Sequence, residues 1–263
     1  MGELLPYLLL GSVAGLLAGL LGVGGGLVIV PVLAWLFHAA GMSPEVVMHM
    51  AIGTSLATIV PTSLSSVWAH HRLGAVLWGA VARLAPGIVA GAALGAALAD
   101  RLPGESLRLI FGLFELAVAL QMGLNLRPAP HRVLPGRAGM WGAGSLIGLV
   151  SAVVGIGGGT MTVPYLQWCN VPMRQAVATS SACGLPIALA GTTGFIVAGW
   201  DAPALPAWSS GYLYWPAFAG IAVASVLLAP VGARLAHRLP TAVLKRFFAL
   251  FLAALGLRML WFG

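Results

Sequence analysis

The sequence predicts an all-α polytopic membrane protein of two inverted repeats, each opening on a glycine-broken segment. Three observations carry that expectation. Of 263 residues, 60% are hydrophobic and 7% charged, where an ordinary soluble domain carries roughly 25% charge. Apolar runs near the roughly 20 residues needed to cross a bilayer recur along the whole chain. One ordered set of motifs also occurs twice.

Polar breaks divide the chain into apolar segments near 4–38, 46–68, 74–99 and 106–124, then 138–170, 174–199, 211–235 and 243–262. With the first segment of each set broken in two, roughly eight to ten helical segments are expected. "GLLGVGGGLVIVPVL" at 19–33 is matched by "SAVVGIGGGTMTVPYL" at 151–166, with Gly24 answering Gly157, Pro31 answering Pro164 and Leu33 answering Leu166. "GTSLATIVP" (53–61) aligns with "ATSSACGLP" (178–186), and "GAALADRLP" (95–103) with "GARLAHRLP" (232–240). Three matches in one order indicate an internal duplication. The expected organisation is a first membrane repeat over 1–124, a cytoplasmic linker over 125–137 and a second membrane repeat over 138–263. The linker, "NLRPAPHRVLPGR", is the longest polar stretch.

Thirteen Lys and Arg against six Asp and Glu give +7. The basic residues sit in short loops, where their excess reports orientation, so nucleic acid is not an expected partner. With the linker inside, alternation also places Arg72, Arg174 and the Arg234, Arg238, Lys245, Arg246 cluster inside, and Arg101, Arg108 and Arg258 outside. This alternation requires 4–38 and 138–170 each to enter and leave as two pieces. Each half then has an odd number of crossings, which inverts one half relative to the other. Cys169 and Cys183 lie in apolar surroundings and suggest neither a disulfide framework nor a metal motif. The opening MGELLPYLLL has no basic flank, and no cleaved signal peptide is expected.

Residues 4–38 as one helix would run about 50 Å, well beyond the core of about 30 Å. Gly24, Gly25 and Gly26 together cost roughly 3 kcal/mol against Ala in a helix, and they permit the positive φ of a reversing chain. Helices over 4–21 and 27–38 with a turn between them are therefore expected, and the same break at Gly157, Gly158 and Gly159. Irregular backbone at membrane depth is tolerated where it is buried or lines a cavity. A glycine turn opening a helix also presents free N–H groups at the positive end of the helix dipole. Two such turns meeting near the midplane would form a nearly symmetric cradle for a small oxyanion. The alternative is that the glycines only let helices approach closely, which is the reading for Gly87, Gly91 and Gly95 at four-residue spacing.

GVGGG with a proline five residues on, its GIGGG copy, and a polar Thr-Ser element after each resemble the TauE/SafE family of sulfite and organosulfonate exporters, over essentially the whole chain. The resemblance implies transport of a small sulfur-containing or sulfonate anion across the bacterial inner membrane.

Other polar residues fall inside the apolar segments. Thr54 and Ser55 correspond to Thr179 and Ser180, each pair followed by a proline, Pro61 or Pro186; they suit either ligand contact or helix-to-helix hydrogen bonding. Thr160 directly follows the second glycine run. Arg83 lies about ten residues into its segment, where a charge is by default a functional candidate; snorkelling or pairing with Glu115 is the alternative. Glu115 and His49 are candidate proton relays or structural groups. His70 and His71 read as interfacial. HExxH, GxSxG and GxxxxGK[ST] are absent, so neither hydrolase nor ATP-driven chemistry is supported.

The substrate-binding set is thus Gly24, Gly25, Gly26, Thr54, Ser55, Arg83, Gly157, Gly158, Gly159, Thr160, Thr179 and Ser180, with no catalytic residue, metal or cofactor expected. The partners are a small anion, possible co-transported protons and the lipid bilayer, and a homodimer stays open. The expected function is secondary transport by alternating access. An anion channel, an intramembrane enzyme or a structural subunit are the alternatives.

Overall fold

The computed structural model describes residues 4–21, 25–124, 133–236 and 241–261. Gly24 and residues 125–132 of the expected linker lie outside them. Ten helices are described: α1 (Leu4–Leu21), α2 (Gly26–Ala39), α3 (Pro44–Arg72), α4 (Trp78–Asp100), α5 (Gly104–Gly123), α6 (Arg137–Val154), α7 (Gly159–Trp168), α8 (Met173–Ala198), α9 (Trp215–Ala236) and α10 (Thr241–Trp261). A two-residue antiparallel hairpin, β1 (Ser209–Ser210) with β2 (Leu213–Tyr214), precedes α9.

Helices α3, α4, α5, α6 and α8 are long and apolar enough to cross a membrane. Half-helices α2 and α7 have 14 and 10 residues, or about 21 and 15 Å, too short to cross alone. Prolines start several elements: Pro44 occupies the first turn of α3, while Pro103 and Pro172 precede α5 and α8. A missing N–H costs nothing there, because the first turn has no intrahelical acceptor for it. All nine tryptophans are at least 40% exposed. Each sits at or near a helix end or in the 200–208 loop, where amphipathic rings settle at the bilayer interface.

The principal helix pairs obey an exchange of halves, in which α1 through α5 trade places with α6 through α10. Helix α1 packs along α9 and α6 along α4; α2 packs on α3 and α7 on α8; α3 crosses α8, and α5 crosses α10. The α4–α6 seam is the closest: a Cβ at Gly91 would lie 2.0 Å from the Ser145 carbonyl oxygen. Gly87 and Gly95 meet Trp141 and Leu149 on the same seam. Small residues at this spacing let backbones touch, which is how helices gain contact area where lipid supplies no hydrophobic drive.

The two chain breaks fall where the glycines predict, between α1 and α2 and between α6 and α7. Their conformation differs from the expectation. Gly25 and Gly158 sit in the right-handed helical region, with φ −70° and −57°. Among the described residues of both breaks, Gly155 alone has positive φ, at +75°, where it ends α6. Close approach explains the rest: a Cβ at Gly26 would stand 2.6 Å from the Gly155 carbonyl oxygen and 2.9 Å from Ile156 Cα. The start of α2 thus lies directly on the turn that ends α6.

Candidate functional site

The site forms where the two breaks meet, inside the crossing of α3 and α8. Ser55 on α3 donates a 2.8 Å hydrogen bond to the Gly155 carbonyl. Ile52 and Val30 close around Gly155 from α3 and α2, and Ile59, two turns beyond Ile52, touches Gly157. On the other side, Gly158 is bordered by Thr162 Oγ1, Ile187 and the Ser180 carbonyl. Gly184 lies beside both the Gly158 amide nitrogen and Ser63 Oγ. Neither α2 nor α7 has a side-chain cap at its N-terminus, so their first-turn N–H groups lack the satisfaction a Ser or Asp cap would give.

Side-chain chemistry is concentrated at the second break. Ser151, Thr162 and Ser180 are at most 1% exposed. Their hydroxyls, with that of Thr160, have no hydrogen-bond partner among the described residues. A buried unpaired polar group costs about 1–3 kcal/mol, so four on the α6, α7 and α8 segments that meet at this break are an expense that packing does not explain. What they offer is a set of neutral donors beside the positive end of a helix, the chemistry suited to an oxyanion.

The structure therefore brings together Gly25, Gly26, Ser55, Gly157, Gly158, Gly159, Thr160 and Ser180, while Gly24 lies outside the described residues. Thr54 and Thr179 are buried with their hydroxyls engaged elsewhere. Thr54 Oγ1 accepts from the N–H of Tyr214, just before α9, at 3.1 Å. Thr179 Oγ1 accepts from the N–H of Leu77, just before α4, at 3.0 Å. These equivalent bonds tie each central helix to the start of a helix from the other half. Arg83 is not brought to the site: it is exposed on α4, and Glu115, fully buried on α5, has no partner for either carboxylate oxygen among the described residues. Ser63, Ser151, Thr162 and Gly155 join the site without having been expected there. Ser63 was reachable as the i+8 neighbour of Ser55 on one helix face. Thr162 stands where the first repeat has Ile29, a polar-for-apolar exchange visible in the alignment of the two motifs.

One end of the bundle above the site is closed. Every residue from Val46 to Ile59 of α3 is buried, whereas from Val60 to Arg72 only Ser63 is. The hairpin seals the buried end, its Tyr212 carbonyl resting on Gly53. Tyr7, Phe37 and Tyr214 meet edge to face with ring centroids 5.6–6.5 Å apart. His49 belongs to this seal: its ring stacks on Tyr212 at 4.9 Å, and Nε2 lies 3.1 Å from the carbonyls of Ala99 and Leu102 at the end of α4. Tyr212 donates to Asp100; burial first, and that bond second, push its phenol up to about 12, so it remains a neutral donor near pH 7.

Comparison with known proteins accords with this architecture. The family model described as "Sulfite exporter TauE/SafE" matches residues 7–259. A "Probable membrane transporter protein" of Haemophilus influenzae is 39% identical over 97% of this chain and 97% of its own. A protein of the same description from Methanocaldococcus jannaschii is 25% identical over 98% and 96%. YdhB of Bacillus subtilis, also so described, is 26% identical over 94% and 96%. No solved structure matches the chain. A doubled, glycine-broken helical bundle matched from end to end by that family model establishes the conclusion: this chain belongs to the TauE/SafE family of membrane transporters.

Proposed function

We propose that the protein is a secondary transporter exporting a small sulfur oxyanion, sulfite or an organosulfonate, across the bacterial inner membrane. The anion is bound at the second glycine break by the first-turn N–H groups of α7 and the hydroxyls of Thr160, Thr162 and Ser180. The single observation that carries this reading is the cluster of buried, unpartnered hydroxyls at an uncapped half-helix N-terminus. The exporter family supports the sulfur chemistry.

Alternating access follows from the two halves acting as inverted repeats, bounded near residue 124 and near residue 138, with the linker between them cytoplasmic. The conformation described is closed at the hairpin end, which this topology makes periplasmic, and the less buried half of α3, from Val60 to Arg72, lies toward the cytoplasmic end. Opening the other way requires the hairpin and the Tyr7–Phe37–Tyr214 contact to separate from α3 while the equivalent cytoplasmic end closes. Backbone N–H and hydroxyl donors are neutral, so the anion's charge is balanced by helix dipoles rather than by a side chain.

Purified protein in liposomes tests the reading: sulfite or a short alkyl sulfonate should move saturably and raise Tm by mass action. Gly158→Ala should weaken binding about ten-fold while the protein stays folded, since its Cβ would press only on the Ile187 and Thr162 side chains and meet the Ser180 carbonyl at ordinary contact distance. Failure of every small oxyanion to bind or move overturns the proposal. Flux that never saturates favours an anion channel.

A further inference from the structure

Away from the glycine breaks, a cavity of about 470 Å3 opens between α2, α3, α5 and α10, within the usual ligand-pocket range of about 300–1,000 Å3. Its inner wall is apolar, formed by Val32, Val47, Met48, Leu255 and Met259. Its mouth carries Trp35, His38, Arg108 and Arg258 against a single carboxylate, Glu105. Arg258 lies over the Trp35 ring, 5.1 Å from its centroid, and pairs with no carboxylate among the described residues. Arg108 spends one N–H on the Met259 carbonyl; its ion pair with Glu105, at 3.8 Å to a carboxylate 78% exposed, is worth little. The mouth is net positive.

The cavity's position sets the kind of ligand. Helix α2 ends there, α3 and α5 begin there, and α10 ends there at the exposed Trp261, so the mouth lies at interface depth. From His38 at the mouth to Pro31 on the wall is about 10 Å along α2, which takes the cavity into the hydrocarbon zone. A cationic mouth at headgroup level above an apolar shaft complements an anion carried on an acyl chain. In the register that aligns 95–103 with 232–240, the counterpart of Arg258 is Gln121.

We propose that this crevice binds one anionic phospholipid of the surrounding bilayer, its phosphate between Arg258 and Arg108 and the start of one acyl chain between α2 and α10. The bound lipid braces α2, the half-helix whose first residue rests on the Gly155 turn, against α10.

The test uses the whole, delipidated protein in nonionic detergent, with native mass spectrometry and thermal unfolding as readouts, so it needs no transported substrate. Dioleoyl-phosphatidylglycerol should remain bound and raise Tm, while dioleoyl-phosphatidylcholine at the same concentration should do neither. Arg258→Gln should weaken phosphatidylglycerol binding about five-fold, and Val32→Trp, which fills the shaft without touching the charge, should abolish it. Equal binding of the two lipids would overturn the proposal. So would stabilisation by inorganic phosphate alone, or undiminished phosphatidylglycerol binding in both variants. Failure of every small oxyanion to bind while phosphatidylglycerol binds would remove the proposed transport substrate and leave this site standing.

Discussion

The two glycine breaks share a backbone plan and differ in chemistry. At the first, α2 opens with Leu27 and Ile29, both buried and apolar. At the second, the matching positions of α7 are Thr160 and Thr162, and Ser151 stands on α6 where the first repeat has Ala18. Backbone geometry is costly to change, because the breaks touch: Gly26 leaves no room against Gly155. Side chains around a fixed turn are free to diverge. Among the described residues, the break recurs in both halves while the unpartnered hydroxyls gather at the second, so the two repeats share a backbone plan without sharing its side-chain chemistry.

The largest effect is expected at the contact the two breaks share. Gly26→Val drives a branched side chain into the Gly155 backbone and should cost about 3 kcal/mol or more, seen as lost monodisperse protein and a lowered Tm. Normal stability would mean that the breaks do not touch.

Next come the equivalent anchors, Thr54→Val and Thr179→Val. Each removes the acceptor for a half-buried N–H, of Tyr214 or Leu77, and should cost about 1–2 kcal/mol. The two losses, read from paired melting curves, should match. A large inequality would show that the halves are not held alike.

A smaller and more selective change separates the breaks themselves. Thr162→Val keeps the shape and deletes an unpartnered hydroxyl, so substrate affinity should fall about ten-fold, or 1.4 kcal/mol, with Tm unchanged or raised. The mirror change Ile29→Thr should lower Tm and leave affinity alone. Isothermal titration and melting on the same preparations decide; equal affinity losses would restore the symmetric cradle.

The smallest effect is expected at Arg83→Gln. An exposed side chain on α4, away from both breaks, should change stability by no more than about 0.5 kcal/mol and leave transport kinetics unaltered. A severe transport defect in folded protein would bring Arg83 into the mechanism.

Most of the architecture was legible in the residues themselves. Apolar run lengths, the paired prolines and the twin glycine motifs located the helices, including breaks after Leu21 and Val154, because a bilayer admits only segments that satisfy their own backbone. Of the candidate site, Ser55, Thr160, Ser180 and the described glycines of both motifs come together in the fold, since a doubled motif marks its own members, while Gly24 lies outside the described residues. Arg83 drew attention because hydropathy records depth in the chain and not the direction a side chain faces. Thr54 and Thr179 were candidates whose hydroxyls, in the fold, serve N–H groups 160 and 102 residues away.

By itself, the sequence determined the helical membrane class, the recurrence of the glycine and Thr-Ser motifs and the placement of the breaks, all properties of local composition and spacing. Tertiary structure alone decided that the breaks touch, that glycine at position 26 answers to a neighbouring backbone rather than to φ, and that the hairpin closes one end. It also decided that, among the described residues, the unpartnered hydroxyls gather at the second break and not the first. Those facts depend on which surfaces meet across the α3–α8 crossing, and contacts between residues a hundred positions apart leave no periodic trace in the chain.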